Sequence, residues 1–204
     1  RYKNAAGEHI PGVSTIIGQL AKPQLILWAN RLGLQGIDST KFRDEKAEIG
    51  SLAHTMILSD LKGEKLDTSA YSQQQIDQAE NCFLSYLEWH SKHTLETQLV
   101  EQPLVSEAYQ YGGTPDWYGI LDGIPTLVDY KTGGIWKEAQ IQVAAYESLL
   151  ALREVGCPQR IIILGIPREP TETFREVTLT DWKAPWEAFK ALRQLYDCLK
   201  GIKE

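Results

Sequence analysis

The sequence predicts a mixed α/β sheet behind a helical N-terminal part. Three observations carry this prediction. Apolar residues recur at helical spacing through roughly the first half of the chain. Beyond it, short apolar and β-branched runs bracket one internal helical stretch. Residues 160–166, RIIILGI, form a continuous apolar run, the pattern of a strand covered on both faces.

The elements follow in order. Residues 12–34 read as two short helices broken before Pro23, because the residue ahead of a proline is pushed out of helical geometry. Residues 43–62 read as a longer helix closed by Gly63. Residues 73–93 form another, with Ile76, Ala79, Phe83, Tyr86 and Leu87 at helical spacing. Residues 98–108, 114–121 and 125–131 read as strands. Residues 135–155 return to helical period, 160–166 and 173–179 read as strands, and 181–200 close as a helix. The core order is β-β-β-α-β-β-α. Residues 1–204 are taken as one domain, with 1–95 as its helical part and 96–204 as its sheet core.

Composition narrows the function classes. The chain has 204 residues, 43% hydrophobic and 24% charged, which suits one ordinary globular domain. No apolar run is long enough for a membrane span, so no membrane is expected as a partner. No signal-peptide pattern is visible, and the chain opens on Arg1, which leaves the native start open. Three scattered cysteines without a CxxC pair point to a reducing cytoplasm rather than a disulfide framework or zinc site. The net charge of −6 argues against broad polyanion binding but leaves room for a local basic groove. There is no GxxxxGK[ST], GxGxxG or HExxH.

Leu121-Asp122-Gly123-Ile124 is a strong two-residue hairpin signal, because Asp-Gly suits the positive φ angles of a type I′ turn. In that register Asp116 lies opposite Asp129, and Asp129 shares its strand face with Leu127 and Lys131. Opposed like charges destabilise a sheet. A divalent cation between the two carboxylates would offset the repulsion, and so would Lys131 on a solvent-exposed hairpin. Asp-x-Lys alone is uninformative, since the chain holds four; only Asp129/Lys131 lies on a predicted strand, where both side chains share a face.

Two helices carry polar residues on apolar faces. Gln142 sits among Ile135, Ala139, Val143, Ala145, Leu149 and Leu150, with Tyr146 one turn on; Lys137, Gln140, Glu147 and Glu154 lie opposite. His54 lies on a stripe with Ala47, Gly50, Leu58 and Leu61. Taken singly, these are a satisfied core glutamine and a structural histidine. Three elements directing polar groups inward favour one shared site. His90-x-x-His93 reads as an exposed helix end, Glu101 as a surface acid or a support for the site, and most of the six tryptophans as packing residues, with base stacking the alternative.

Together, Gly50-x-x-x-His54, Gly113-Thr114-Pro115-Asp116, Asp129-Tyr130-Lys131-Thr132-Gly133 and Gln142-x-x-x-Tyr146 resemble the PD-(D/E)XK nuclease superfamily, in its RecB-like, phage-type exonuclease branch. Residues 10–17, IPGVSTII, followed by Trp28, look like the N-terminal part of phage exonucleases and of mitochondrial genome maintenance exonucleases. The resemblance implies a restriction-endonuclease-like mixed sheet flanked by helices. It implies a DNA exonuclease of bacterial or phage recombination or repair, acting in the cytoplasm on ends or single-stranded tails. Asp116, Asp129, the Tyr130 carbonyl and His54 would hold Mg²⁺ or Mn²⁺. Lys131 would assist the attacking water, Gln142 and Tyr146 would orient the site, and Thr132 would touch a phosphate. The cysteine cluster that carries an iron–sulfur centre in some relatives is missing, so none is expected. The rival readings are a structure-specific or restriction-type endonuclease and a non-cleaving nucleic-acid-binding protein of the same fold.

Overall fold

The structure is a computed structural model that describes residues 2–152 and 156–202. Two short strands, β1 (Tyr2–Lys3) and β2 (His9–Ile10), pair as a ribbon ahead of the short helix α1 (Val13–Ile17) and the helix α2 (Pro23–Leu34). The long helices α3 (Ser39–Lys62) and α4 (Gln73–His90) follow. Then come β3 (Leu95–Val100), β4 (Leu104–Ser106), β5 (Tyr111–Gly113), β6 (Trp117–Leu121), β7 (Ile124–Thr132), α5 (Lys137–Ala151), β8 (Arg160–Ile166), β9 (Arg175–Leu179) and α6 (Lys183–Gly201). The main sheet has the order β3-β6-β7-β8-β9. Only β7 and β8 run parallel, and α5 makes the crossover between them.

The sheet is covered on both sides, which explains the unbroken apolar run of β8. Tyr118, Leu127, Ile161 and Ile163 face one core with Val143, Leu149 and Phe189. Trp117, Val128, Ile162 and Leu164 face the other, with Leu52, Ile57, Tyr86 and Trp89. Neighbouring residues on a strand point to opposite faces, so a strand covered on both sides reads apolar at successive positions; the buried Thr126 and Asp129 of β7 depart from this. The helices begin and end as local chemistry dictates. The Asp38 carboxylate accepts from the amides of Thr40 and Lys41 at the start of α3, and Gly63 ends that helix at φ 67°. Ser72 and Gln75 form a capping box at the start of α4.

The hairpin forms as the Asp-Gly signal predicts. Asp122 and Gly123 sit at φ 52° and 80°, and the ladder runs from Leu121–Ile124 to Trp117–Val128. Several boundaries differ. The predicted 98–108 strand is two strands, because the chain turns at Glu101 (φ 49°) and Pro103 lacks an amide for a ladder; β4 pairs with β5 in a separate small sheet. The predicted 114–121 strand begins at Trp117. Helix α3 starts four residues before the expected boundary, at its Asp38 cap, and α4 stops at His90. The β1–β2 ribbon has no counterpart in the predicted elements. Glu154, assigned to the polar side of the α5 stretch, lies outside the described residues.

Candidate functional site

The predicted rung between Asp116 and Asp129 does not form. The β6–β7 ladder ends at Trp117–Val128, and the chain bends away before it. Asp116 nevertheless comes to the same place by another route. Beyond the last rung the Tyr130 amide needs an acceptor, and Asp116 Oδ2 supplies it at 2.9 Å. The same oxygen lies 2.9 Å from His54 Nε2. Asp129 is fully buried on the Leu127 face of β7. Neither of its oxygens has a hydrogen-bond partner of good geometry, although Lys131 Nζ stands 2.6 Å from Oδ2 as an ion pair.

These environments push the two acids apart. Burial raises Asp129 to about 6, with repulsion from Asp116 adding to it and Lys131 opposing. Burial acts on Asp116 too, but the hydrogen bond and charge of His54, the charge of Lys131 and the Tyr130 amide carry it below the usual carboxylate range. Burial would lower His54; its bond to Asp116 and the two acidic charges overcome that and raise it. Lys131 is raised the same way, by Asp129 and Asp116 against its own desolvation.

The supporting residues converge from three elements. A Cβ at Gly50 would lie 2.6 Å from Thr132 Oγ1, so only glycine lets α3 come this close to the end of β7, one turn before His54. Gln142 Nε2 donates to Tyr146 Oη at 2.8 Å, which satisfies the glutamine within its own helix. The Tyr146 ring packs where a Cβ at Gly113 would stand, 2.7 Å from Cε1. Burial, with the nearby charges of Asp129 and Asp116, raises the Tyr146 hydroxyl, so it stays protonated.

His54, Asp116, Tyr130, Lys131, Thr132 and Gln142 line a cleft of about 1040 Å³. Asp129 and Tyr146 are not in this lining; Tyr146 borders a second, smaller cavity with Gly113 and Tyr2. Arg43 and Lys46 on α3, Arg168 beyond β8, and the aromatic rings of Trp28, Phe42 and Trp136 form the walls. Of these, Arg43, Lys46, Arg168 and Phe42 are not singled out by the sequence, whereas Trp28 and Trp136 are among its stacking candidates. Arg43 and Lys46 had a signal, since they continue the Gly50/His54 stripe back along α3; Arg168 had none. Trp89 and Trp117 are buried, as expected of most of the tryptophans, whereas Trp136, which lines the cleft, is 73% exposed.

Other candidates separate. His90 Nδ1 faces Tyr86 Oη at 3.2 Å, while His93 Nδ1 pairs with Asp122 Oδ2 at 2.6 Å, so the two histidines serve different partners. Glu101 lines the cleft and lies 3.4 Å from Lys62. Among the described residues, no three His, Cys, Asp or Glu side chains are arranged as a ready metal cage. No helix among them is long and apolar enough to cross a membrane.

No family model matches the chain, and no curated protein matches it. Solved structures do. A protein from Eubacterium rectale, named as a candidate exonuclease, superimposes with a TM-score of 0.54 at 15% identity, over 74% of this chain and 66% of that one. This chain therefore spans just under two thirds of that structure's length. A second structure, SSO0001, shares 14% identity over 77% of this chain and 75% of that one, at a TM-score of 0.34, too low to support an argument. The fold is a nuclease-like α/β fold, a mixed five-stranded sheet flanked by helices.

Proposed function

We propose that this protein is a metal-dependent nuclease that hydrolyses phosphodiester bonds of DNA, working from DNA ends. The observation that carries the proposal is Asp129: a fully buried carboxylate without a directed hydrogen bond, close enough to Asp116 to be raised further by its charge. Its one charged neighbour is the Lys131 ammonium at Oδ2, and a buried carboxylate with Oδ1 left over has room for a further cation. The donor set fits a hard cation. Two carboxylates and the Tyr130 carbonyl suit Mg²⁺ or Mn²⁺, which keep several waters of their own. They do not suit zinc, which takes three or four His, Cys or acidic ligands. When bound, such an ion supplies an activated water and neutralises charge on the phosphate.

The protein's own groups do the rest. Asp116, held by the Tyr130 amide and His54, stays ionised and presents a fixed charge. His54 thus acts first as the residue that orients Asp116; the site gives it a ligand's position only by turning from that bond. Lys131, still protonated, faces the charge that develops on the phosphate in the transition state. Thr132 offers a hydroxyl to the cleft, and the bond to Tyr146 fixes Gln142 beside it. The cationic and aromatic walls suit a nucleic-acid strand despite the net negative charge of the chain. The exonuclease reading draws on the motif resemblance and on the name of the Eubacterium rectale structure.

The test compares end-labelled linear DNA with a covalently closed duplex circle in Mg²⁺. Progressive loss of the linear DNA, an intact circle, and no activity for Asp129→Ala are expected. Rapid linearisation of the circle would move the assignment to an endonuclease. No cutting with any divalent cation would leave the non-cleaving reading.

A further inference from the structure

Four cations line the cleft: Arg43, Lys46, Lys131 and Arg168. Three already have an acid within hydrogen-bond reach. Arg43 meets Asp44 at 2.7 Å, Lys46 meets Glu169 at 3.1 Å and Lys131 meets Asp129 at 2.6 Å. Arg168 does not: its nearest acidic oxygen, on Glu172, stands 3.9 Å from Nη2, and its buried Nε has no partner among the described residues.

The backbone holds this guanidinium in place. Strand β8 runs parallel to β7, with Thr132 beside Ile166, so Arg168 leaves the sheet at the same edge as Lys131 and Thr132. Its own amide donates to Glu172 Oε2 at 2.7 Å. A Cβ at Gly133 would lie 2.7 Å from Nη2, and Gly133 also sits at φ 93°; the guanidinium therefore lies over bare backbone next to the Lys131–Thr132 segment. A buried N–H without an acceptor costs free energy, and a planar fork of donors matches a phosphate's oxygens.

On the nuclease reading above, we infer that Arg168 binds a phosphate of the DNA strand flanking the one that is cut. It is a substrate-binding residue, distinct in task from Lys131. Without DNA the guanidinium has one long ionic contact, Nη2 to Glu172 at 3.9 Å; a bound phosphate takes the Nη edge, since the buried Nε is out of its reach.

The experiment measures a fluorescent single-stranded oligonucleotide, as Kd by anisotropy in EDTA and as KM in Mg²⁺, with salt varied between about 50 and 200 mM. Arg168→Gln is expected to weaken binding about tenfold, to lower the salt slope by roughly one, and to leave kcat within a few-fold. Arg168→Lys keeps the charge and the slope but loses the fork, so it should bind a few-fold more weakly than wild type. Circular dichroism confirms folding, and if Arg168→Gln does not fold, Arg168→Lys decides. Unchanged Kd, KM and slope in the folded Gln variant, or wild-type binding by the Lys variant, overturns the Arg168 assignment alone. A wild-type protein that neither binds nor cuts DNA overturns the nuclease reading and this assignment with it.

Discussion

The cleft has two unlike walls. On one side β7 and α5 carry Asp129, Lys131, Gln142 and Tyr146 on elements buried in the double-sided core. On the other, α2 contributes Leu25 and Trp28 but buries no residue of its own; Leu25, Ile26, Leu27 and Leu34 are 52%, 73%, 64% and 81% exposed. The contrast separates two tasks. Groups that must hold sub-ångström positions stand on elements whose rotamers are locked by packing. Groups that meet a large, variable substrate stand on an element with little local stability.

The largest test of this contrast is on the rigid wall. Asp116→Ala or Asp129→Ala should abolish cleavage, seen as loss of product in an end-labelled assay, and weaken Mn²⁺ binding by titration. The fold should survive, and Asp129→Asn should raise the melting temperature of the metal-free protein near neutral pH. The sign follows from the raised Asp129. Its folded value of about 6 lies above its unfolded one, so the native state binds more protons in that window and loses stability as pH rises through it. A lower melting temperature for Asp129→Asn would show that the acid is satisfied in the folded protein.

Next is the division of labour between neighbours. Lys131→Ala should cost about 10²–10³-fold in kcat while Mn²⁺ affinity stays within a few-fold. His54→Ala should weaken Mn²⁺ affinity about 10–100-fold by releasing Asp116 from its orientation. Loss of stability with unchanged metal affinity would make His54 a packing residue.

The acid pair also sets a pH dependence. A cation must displace the proton on Asp129, so Mn²⁺ affinity should climb as pH rises through about 6 and level off above it. A flat profile across that range would exclude Asp129 as a ligand.

The smallest effects belong to the loose wall. Leu27→Ser should change stability by no more than about 0.5 kcal/mol. Trp28→Ala should weaken single-stranded DNA binding by about 1–3 kcal/mol, measured by anisotropy, with kcat little changed. Hydrogen exchange should find the α2 amides opening far more readily than those of β7. Equal protection of the two would remove the contrast.

The sequence by itself determined the elements whose signals are local. The Asp122-Gly123 turn, the β8 run, the Gly63 stop of α3, and the face shared by Asp129 and Lys131 all follow from spacing of a few residues, because turn dihedrals, side-chain alternation and C-terminal capping are short-range chemistry. The Asp-Gly register also pointed to Asp116 and Asp129 as neighbours, but by a rung that does not exist. Tertiary structure decided that Asp116 leaves the ladder, accepts the Tyr130 amide and takes His54 from a distant helix. It also decided that Arg168, with no motif around it, reaches the same edge as Lys131 through the parallel β7–β8 pairing. Such contacts lie outside any one element, and their geometry depends on how helices and sheet pack, which no local pattern encodes.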